Sequence, residues 1–144
     1  MEKILVSACL LGEKCRYDGE SKPNQNVIDI LSQYECVKVC PEVMGGLPTP
    51  RKPSEIACGR VKMVDGTDVT YEYKLGAELA LAKAREQGCK IAVLKARSPS
   101  CGKGLVYDGT HTAALTKGDG VTARLLMDNG ITVLDETEIE KLRK

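Results

Sequence analysis

Short apolar runs alternate with helical periods along this chain, and that alternation narrows the fold more than any other feature. Lys3–Ala8, Lys90–Ala96 and Ile131–Leu134 read as strands buried on both faces, and Cys36–Cys40 as a further short strand. Between the first two runs, Val27, Ile28, Ile30 and Leu31 recur at helical spacing, with Asn24 or Asn26 placed to cap. A longer helical pattern starts at Thr70 as cap, runs through Leu75, Leu79, Leu81 and Ala82, and stops at Gly88. Lys117–Asn129 and Glu136–Leu142 are the remaining helices, the last begun by Asp135 or Thr137. Strand–helix–strand order implies right-handed crossovers and a parallel sheet. The expected fold is α/β: a single-domain, three-layer Rossmann-like fold over residues 1–144, with a mostly parallel sheet of about four strands plus a small hairpin. Val61–Val64, Asp65-Gly66 and Asp68-Val69 supply that hairpin, turning in type I′. Lys103–Gly109 is a short extended piece, and no stretch reads as a domain linker.

Phe and Trp are absent and Tyr occurs five times, so the core is built from Val, Ile, Leu, Ala and Met. So few aromatics give no stacking platform for single-stranded nucleic acid. With 21 Lys and Arg against 20 Asp and Glu, no global field draws the chain to nucleic acid or membrane. No apolar run is long enough to span a bilayer, and the amino terminus lacks a signal-peptide pattern, so the expected location is cytoplasmic. In that reducing compartment seven cysteines favour metal binding or reactivity over disulfides. The chain carries neither a Walker loop nor a dinucleotide-binding glycine fingerprint; Gly118-Asp119-Gly120 resembles the latter only in part.

Cys9, Cys40 and Cys101 each stand at or just past a strand end, beside Leu10-Leu11-Gly12, Pro41-Glu42 and Ser98-Pro99-Ser100 respectively. The carboxyl ends of parallel strands share one edge, where ligands bind, so three thiols distant in sequence are expected to meet there. Soft thiolates suit zinc, copper(I) or an iron–sulfur cluster. No Cys-x-x-Cys or Cys/His knuckle exists, and the single histidine, His111, stands in a loop with no evident partner, which also leaves a cysteine-nucleophile hydrolase without a base. A closed zinc site would need Cys15 as fourth ligand; three thiolates on a cluster would leave one iron open, the more productive arrangement for catalysis. Cys36 and Cys89 read as small buried hydrophobes, and Cys58 as merely exposed.

Pro41–Pro53 is rich in Gly and Pro and reads as an irregular functional loop, in which Gly45-Gly46 permits close backbone approach to a ligand. Glu42, two residues past Cys40, is placed to move protons, and Arg51 either pairs with an anion or forms an ordinary salt bridge. Ser98 and Ser100 flank a rigid turn beside Cys101, suited to hydrogen bonds to cluster sulfur or substrate, or to capping the turn; Ser7, before Cys9, has the same two readings. Lys95 and Lys103 could lend electrostatic support.

Five segments then match one pattern in order: Val6-Ser7-Ala8-Cys9-Leu10-Leu11-Gly12, Arg16-Tyr17-Asp18-Gly19, Cys40-Pro41-Glu42-Val43 through Gly46-Leu47-Pro48-Thr49-Pro50-Arg51, Ser98-Pro99-Ser100-Cys101-Gly102, and Tyr107-Asp108-Gly109. Over nearly its whole length the chain resembles the small bacterial family long catalogued as a domain of unknown function and now typified by thiouracil desulfidase. The resemblance implies non-redox removal of sulfur from a thiolated base such as a thiouracil, with water supplying the new oxygen and sulfide released. It also implies a 4Fe–4S cluster held by Cys9, Cys40 and Cys101, whose open iron acts as a Lewis acid. Glu42 and Ser98 then fall at positions suited to proton transfer, with Ser7, Arg51 and Ser100 in support. The partner expected is a small thiolated base, for a monomer or homodimer. Cys15 is the departure from the pattern, a thiol where many members carry an aliphatic residue; it could protect, tune or compete as a ligand. The competing expectation is a non-enzymatic four-cysteine zinc or iron–sulfur module.

Overall fold

The structure is a computed structural model that describes residues 1–144. Its elements are β1 (Lys3–Ser7), α1 (Gln25–Leu31), β2 (Glu35–Val39), α2 (Pro41–Met44), β3 (Ser54–Ala57), β4 (Arg60–Met63), α3 (Thr70–Gln87), β5 (Ile91–Leu94), β6 (Leu105–Tyr107), β7 (Leu115–Lys117), α4 (Val121–Asp128) and β8 (Thr132–Asp135). Tight 3-10 turns follow β1 at Ala8–Leu11 and β8 at Glu136–Leu142. The main sheet is parallel, in the order β2-β1-β5-β8.

Alternation along the strands divides the core. Ile4, Val6, Val93 and Leu134 point to one face, under Val27, Ile30 and Leu31 of α1 and Ile139 and Leu142 of the last turn. Leu5, Ala92, Leu94 and Val133 point to the other, under Leu81 and Ala84 of α3 and Ala123 and Leu126 of α4. These are the three layers expected. Small side chains on α3, Gly76, Ala77, Ala80 and Ala84, let that helix lie close to its neighbours. From β1 the chain moves outward to β2, then returns to the far side of β1 for β5 and β8. The order therefore reverses between β1 and β5, and a crevice opens above their carboxyl ends.

Four local expectations are corrected. The hairpin is formed by β3 and β4, turning through Cys58 and Gly59, both at positive φ (51° and 75°). Asp65-Gly66 folds the chain back for only one bridge, between Lys62 and Asp68. A second antiparallel pair joins β6, inside the piece expected to be extended, to β7, whose residues were expected to be loop or to start a helix. Cys40–Gly45 is not irregular: Pro41 is the first residue of α2, where its missing N–H costs nothing and its fixed φ favours a helix. Thr70 does not cap α3; Asp68 accepts from the Thr70 amide at 2.9 Å, while the Thr70 hydroxyl turns inward to the Val61 amide at 2.8 Å. Elsewhere Asn24 caps α1 through the Val27 amide at 3.0 Å, and Asp135 opens the last turn in a capping box with Glu138.

Candidate active site

A cavity of about 530 Å³ occupies the crevice, and its wall includes Cys9, Cys15, Cys40 and Cys101, with Cys36, Cys58 and Cys89 outside it. Each thiol arrives by a different route. Cys9 sits in the tight turn after β1, its carbonyl tied to the amides of Gly12 (3.2 Å) and Lys22 (3.1 Å). Cys40 stands at the junction of β2 and α2, just before the first residue of α2. Cys101 lies past β5 in a turn held by the Ser98 hydroxyl, which accepts from the amides of Ser100 and Cys101, each at 3.0 Å. Cys15 rides the loop between β1 and α1, its carbonyl gripped by Arg51 Nη2 at 3.0 Å and approached by Cys40 Sγ at 3.6 Å.

The electrostatics keep the thiols of Cys15, Cys40 and Cys101 neutral. Burial pushes the Cys101 thiol up to about 12, hydrogen bonding with Ser7 opposing the rise. Cys40 is raised first by its hydrogen bond with Cys15 and then by burial. At Cys15 the bond from Cys40 works against the rise, but a bond to Cys9 and burial carry the thiol to about 11. A metal that replaces the protons turns such groups into thiolate ligands, and its positive charge offsets the desolvation that now opposes ionisation. No three His, Cys, Asp or Glu side chains close on a point able to hold one ion. A cubane cluster needs its ligating thiolates more widely spread than a single ion does, and an all-sulfur donor set without histidine suits iron and sulfide. The residues present therefore fit an iron–sulfur cluster.

Beside Cys40, Glu42 of α2 is held by α3 and by the loop that carries Arg51. Its Oε1 accepts from Tyr73 Oη at 2.7 Å and from Arg51 Nε at 3.1 Å. The Arg51 side chain is 2% exposed and also donates to Pro48 O and Thr49 Oγ1, so it is an internal clamp and not an open anion site. Tyr73, fully buried on α3, has its phenol raised by burial and by the nearby Glu42 charge. α2 reaches this position because Gly45 lies against the Glu72 carbonyl and Gly76 against the Pro41 carbonyl, approaches closed to any side chain. Gly45 thus serves helix packing, not the ligand approach expected of it.

The remaining expected residues divide. Ser7 accepts from the Lys95 amide at 2.9 Å, tying the ends of β1 and β5 together, and faces Cys101. Ser98 lines the cavity; Ser100 does not, its hydroxyl being buried 2.7 Å from Thr122 Oγ1 at the start of α4. Lys95 pairs with Glu136 at 2.7 Å, and Lys103 with Glu138 at 3.2 Å away from the cavity. His111 does have a partner: its Nδ1 lies 3.5 Å from Glu55, which also accepts from the amides of Gly109 and His111. Sequence reasoning missed Tyr73, Glu55, Arg97 and Lys22 as wall residues. Arg16, Tyr17 and Tyr107, also on the wall, stand in quoted motifs and so carried a local signal; the other four come together through tertiary folding.

The fold and this cavity together define a small α/β protein with a thiolate-rich site at the switch point of a parallel sheet. Residues 4–138 match the sequence model of the 2-thiouracil desulfurase family, and the chain belongs to that family. It is 38% identical to the uncharacterized protein YbbK of Bacillus subtilis (strain 168), over 96% of this chain and 99% of that protein. It is also similar to the solved structure of the [4Fe-4S]-dependent thiouracil desulfidase TudS, with a TM-score of 0.93 and 46% identity, over 99% of this chain and 95% of that one.

Proposed function

We propose that the protein is a 4Fe–4S-dependent desulfidase that converts a thiolated nucleobase of the thiouracil kind to its oxo form and releases sulfide. The observation that carries the reading is the meeting of Cys9, Cys40 and Cys101, from three strand ends, on one open cavity that also holds Glu42. These three cysteines would hold the cluster, which would supply a Lewis-acidic iron for the substrate's sulfur. The cavity falls within the usual range for small-molecule sites, ~300–1,000 Å³, and suits a single flat ring. Tyr17, Pro53, Pro99 and Ala113 give that ring an apolar wall.

The balanced reaction replaces C=S with C=O at the cost of one water and yields hydrogen sulfide. Glu42 takes the proton from the attacking water and returns it to the departing sulfur. Arg51 and Tyr73 both bind Oε1, which fixes the carboxylate plane and leaves its second oxygen for that work. Ser98 holds the amide of Cys101 and so the ligand turn, while its own hydroxyl hydrogen remains available to the cavity. Ser7 orients Cys101 from the neighbouring strand end. Residues 1–144 act as one unit, since every group named lines one cavity. The closed four-cysteine module is disfavoured by the open volume beside the thiols.

Anaerobic reconstitution with iron and sulfide is the test. Wild-type protein is expected to take up about four irons and to release sulfide from 2-thiouracil with formation of uracil. Uptake of a cluster without sulfide release from 2-thiouracil or 4-thiouracil would remove the substrate assignment; no uptake would remove the cofactor.

A further inference from the structure

Cys15 is the thiol that the three-ligand reading leaves without work. It is not a solitary cysteine: it lines the same cavity as Cys9 and Cys40, and Cys40 Sγ lies 3.6 Å from its carbonyl oxygen. It also lies where two cavities meet. A second hollow of about 330 Å³ backs onto the first, and Ala8, Cys15, Val39 and Cys40 line both. The far side of this second hollow is formed by Val43 and Met44 of α2, with Lys83 and the Lys38–Glu13 pair at its rim.

The backbone of Cys15 cannot follow its side chain. Arg51 Nη2 holds its carbonyl, and the Arg51 amide donates to Tyr17 O at 2.6 Å, so the segment is pinned on both sides of Arg16. Only rotation about the side-chain bonds is open to the thiol, and the two cavities offer it two places to stand. One is among the thiols of Cys9 and Cys40; the other is the half-apolar hollow beside Met44.

We propose that Cys15 is an exchangeable fourth thiolate, which occupies the open iron at rest and withdraws into the second cavity when the substrate's sulfur displaces it. The inference rests on the cluster reading above and adds a resting-state ligand to it. The exchange is neutral in electrons: one iron–sulfur bond breaks as another forms. The thiol gives up its proton on binding and regains one from solvent on leaving. Such a ligand shields the iron most exposed to oxidation without blocking substrate. A thiol suits this role because it is soft enough to bind the iron and is met by an incoming ligand of the same kind.

The test uses reconstituted wild-type protein with Cys15→Ala and Cys15→Ser, each first assayed for iron and sulfide content. Ferricyanide takes one electron from the cluster as one iron departs, leaving the paramagnetic three-iron form, whose resonance signal is followed in time. Cys15→Ala is expected to lose that iron about ten- to a hundredfold faster than wild type, with Cys15→Ser between. In parallel, ethanethiol should perturb the cluster's visible spectrum at lower concentration in Cys15→Ala than in wild type. Equal oxidation rates and equal ethanethiol titrations would overturn the proposal and leave the desulfidase reading standing. Failure of both variants to hold any cluster would overturn it too, because Cys15 would then be an obligatory ligand. Failure of wild type itself to load a cluster would bring down the underlying reading, and the inference with it.

Discussion

Two sets of cysteines sit on the same sheet and live in opposite circumstances. Cys9, Cys40 and Cys101 stand at its carboxyl edge, with Cys15 folded over them, and all four share one cavity. Cys36 lies within β2 and Cys89 just before β5, and neither meets another thiol. Cys36 points back to the Leu31 carbonyl at 3.8 Å, and Cys89 is buried against the face covered by α3 and α4. Burial is the leading cause of a raised thiol at Cys36, Cys89 and Cys101 alike. Desolvation therefore does not distinguish a thiol of the cavity from a core residue. What distinguishes them is strand direction: loops at the carboxyl edge of parallel strands converge on the switch point, and nothing converges at the amino edge.

The contrast predicts its largest effect in cluster content. Cys9→Ser, Cys40→Ser and Cys101→Ser should each abolish the brown chromophore of the reconstituted protein, whereas Cys36→Ser and Cys89→Ala should keep it at wild-type iron content. The latter two are expected to cost ~1–3 kcal/mol in denaturant unfolding, the half-buried Cys36 gaining a hydroxyl at the low end and the buried Cys89 losing packing at the high end. Loss of chromophore in Cys89→Ala without loss of fold would break the comparison.

Next in size is Glu42→Gln, which preserves shape and a hydrogen-bond acceptor for Tyr73 but removes the proposed base. A fall in kcat of ~10²–10⁴-fold with an intact chromophore and little change in KM is expected from single-turnover and steady-state assays of sulfide release. Reduced iron content would instead assign Glu42 to building the site.

A smaller effect separates a glycine within α3 from the glycine that ends it. At Gly76 a methyl would strike the Pro41 carbonyl, while Gly88 ends the helix at φ 73° with open space around its missing side chain. Alanine within a helix gains ~1 kcal/mol over glycine, but backbone overlap costs ~1–3 kcal/mol, so Gly76→Ala destabilises. The displacement is relayed through Pro41 to Cys40, so cluster retention under a chelator should drop with thermal stability. Gly88→Ala is expected to lower Tm comparably through strain alone and to leave cluster retention unchanged.

The same division governs what could be read in the sequence. All four parallel strands and the helices that cover them follow from apolar runs, periodicity and caps such as Asn24 and Gly88, because those signals are local. The meeting of Cys9, Cys40 and Cys101 was legible because parallel topology converts three local positions into one edge. β7 was not, since Leu115, Thr116 and Lys117 are all exposed and impose no alternation. Nor was the acid's cradle. Tyr73 reads as one more apolar residue in a helix, and only the close approach of Gly45 to α3 brings its phenol to Glu42. Pro41 looked like a breaker because its helix is a single turn, too short to show a period.

The hairpin error leads to the smallest effect. Asp65-Gly66 carries the stronger turn signature, yet the strands turn at Cys58-Gly59, where both residues sit at positive φ. Cysteine has no side-chain oxygen to support that conformation, whereas asparagine tolerates it readily. Cys58 is exposed and is not part of the cavity wall, so neither packing nor the site explains its conformation. Cys58→Asn is therefore expected to raise stability by ~0.5 kcal/mol with no change in iron content or sulfide release. The measurement is a denaturant midpoint at constant slope. A lower midpoint would show that the thiol makes a contact of its own, and a change in cluster content would place Cys58 with the wrong set of cysteines.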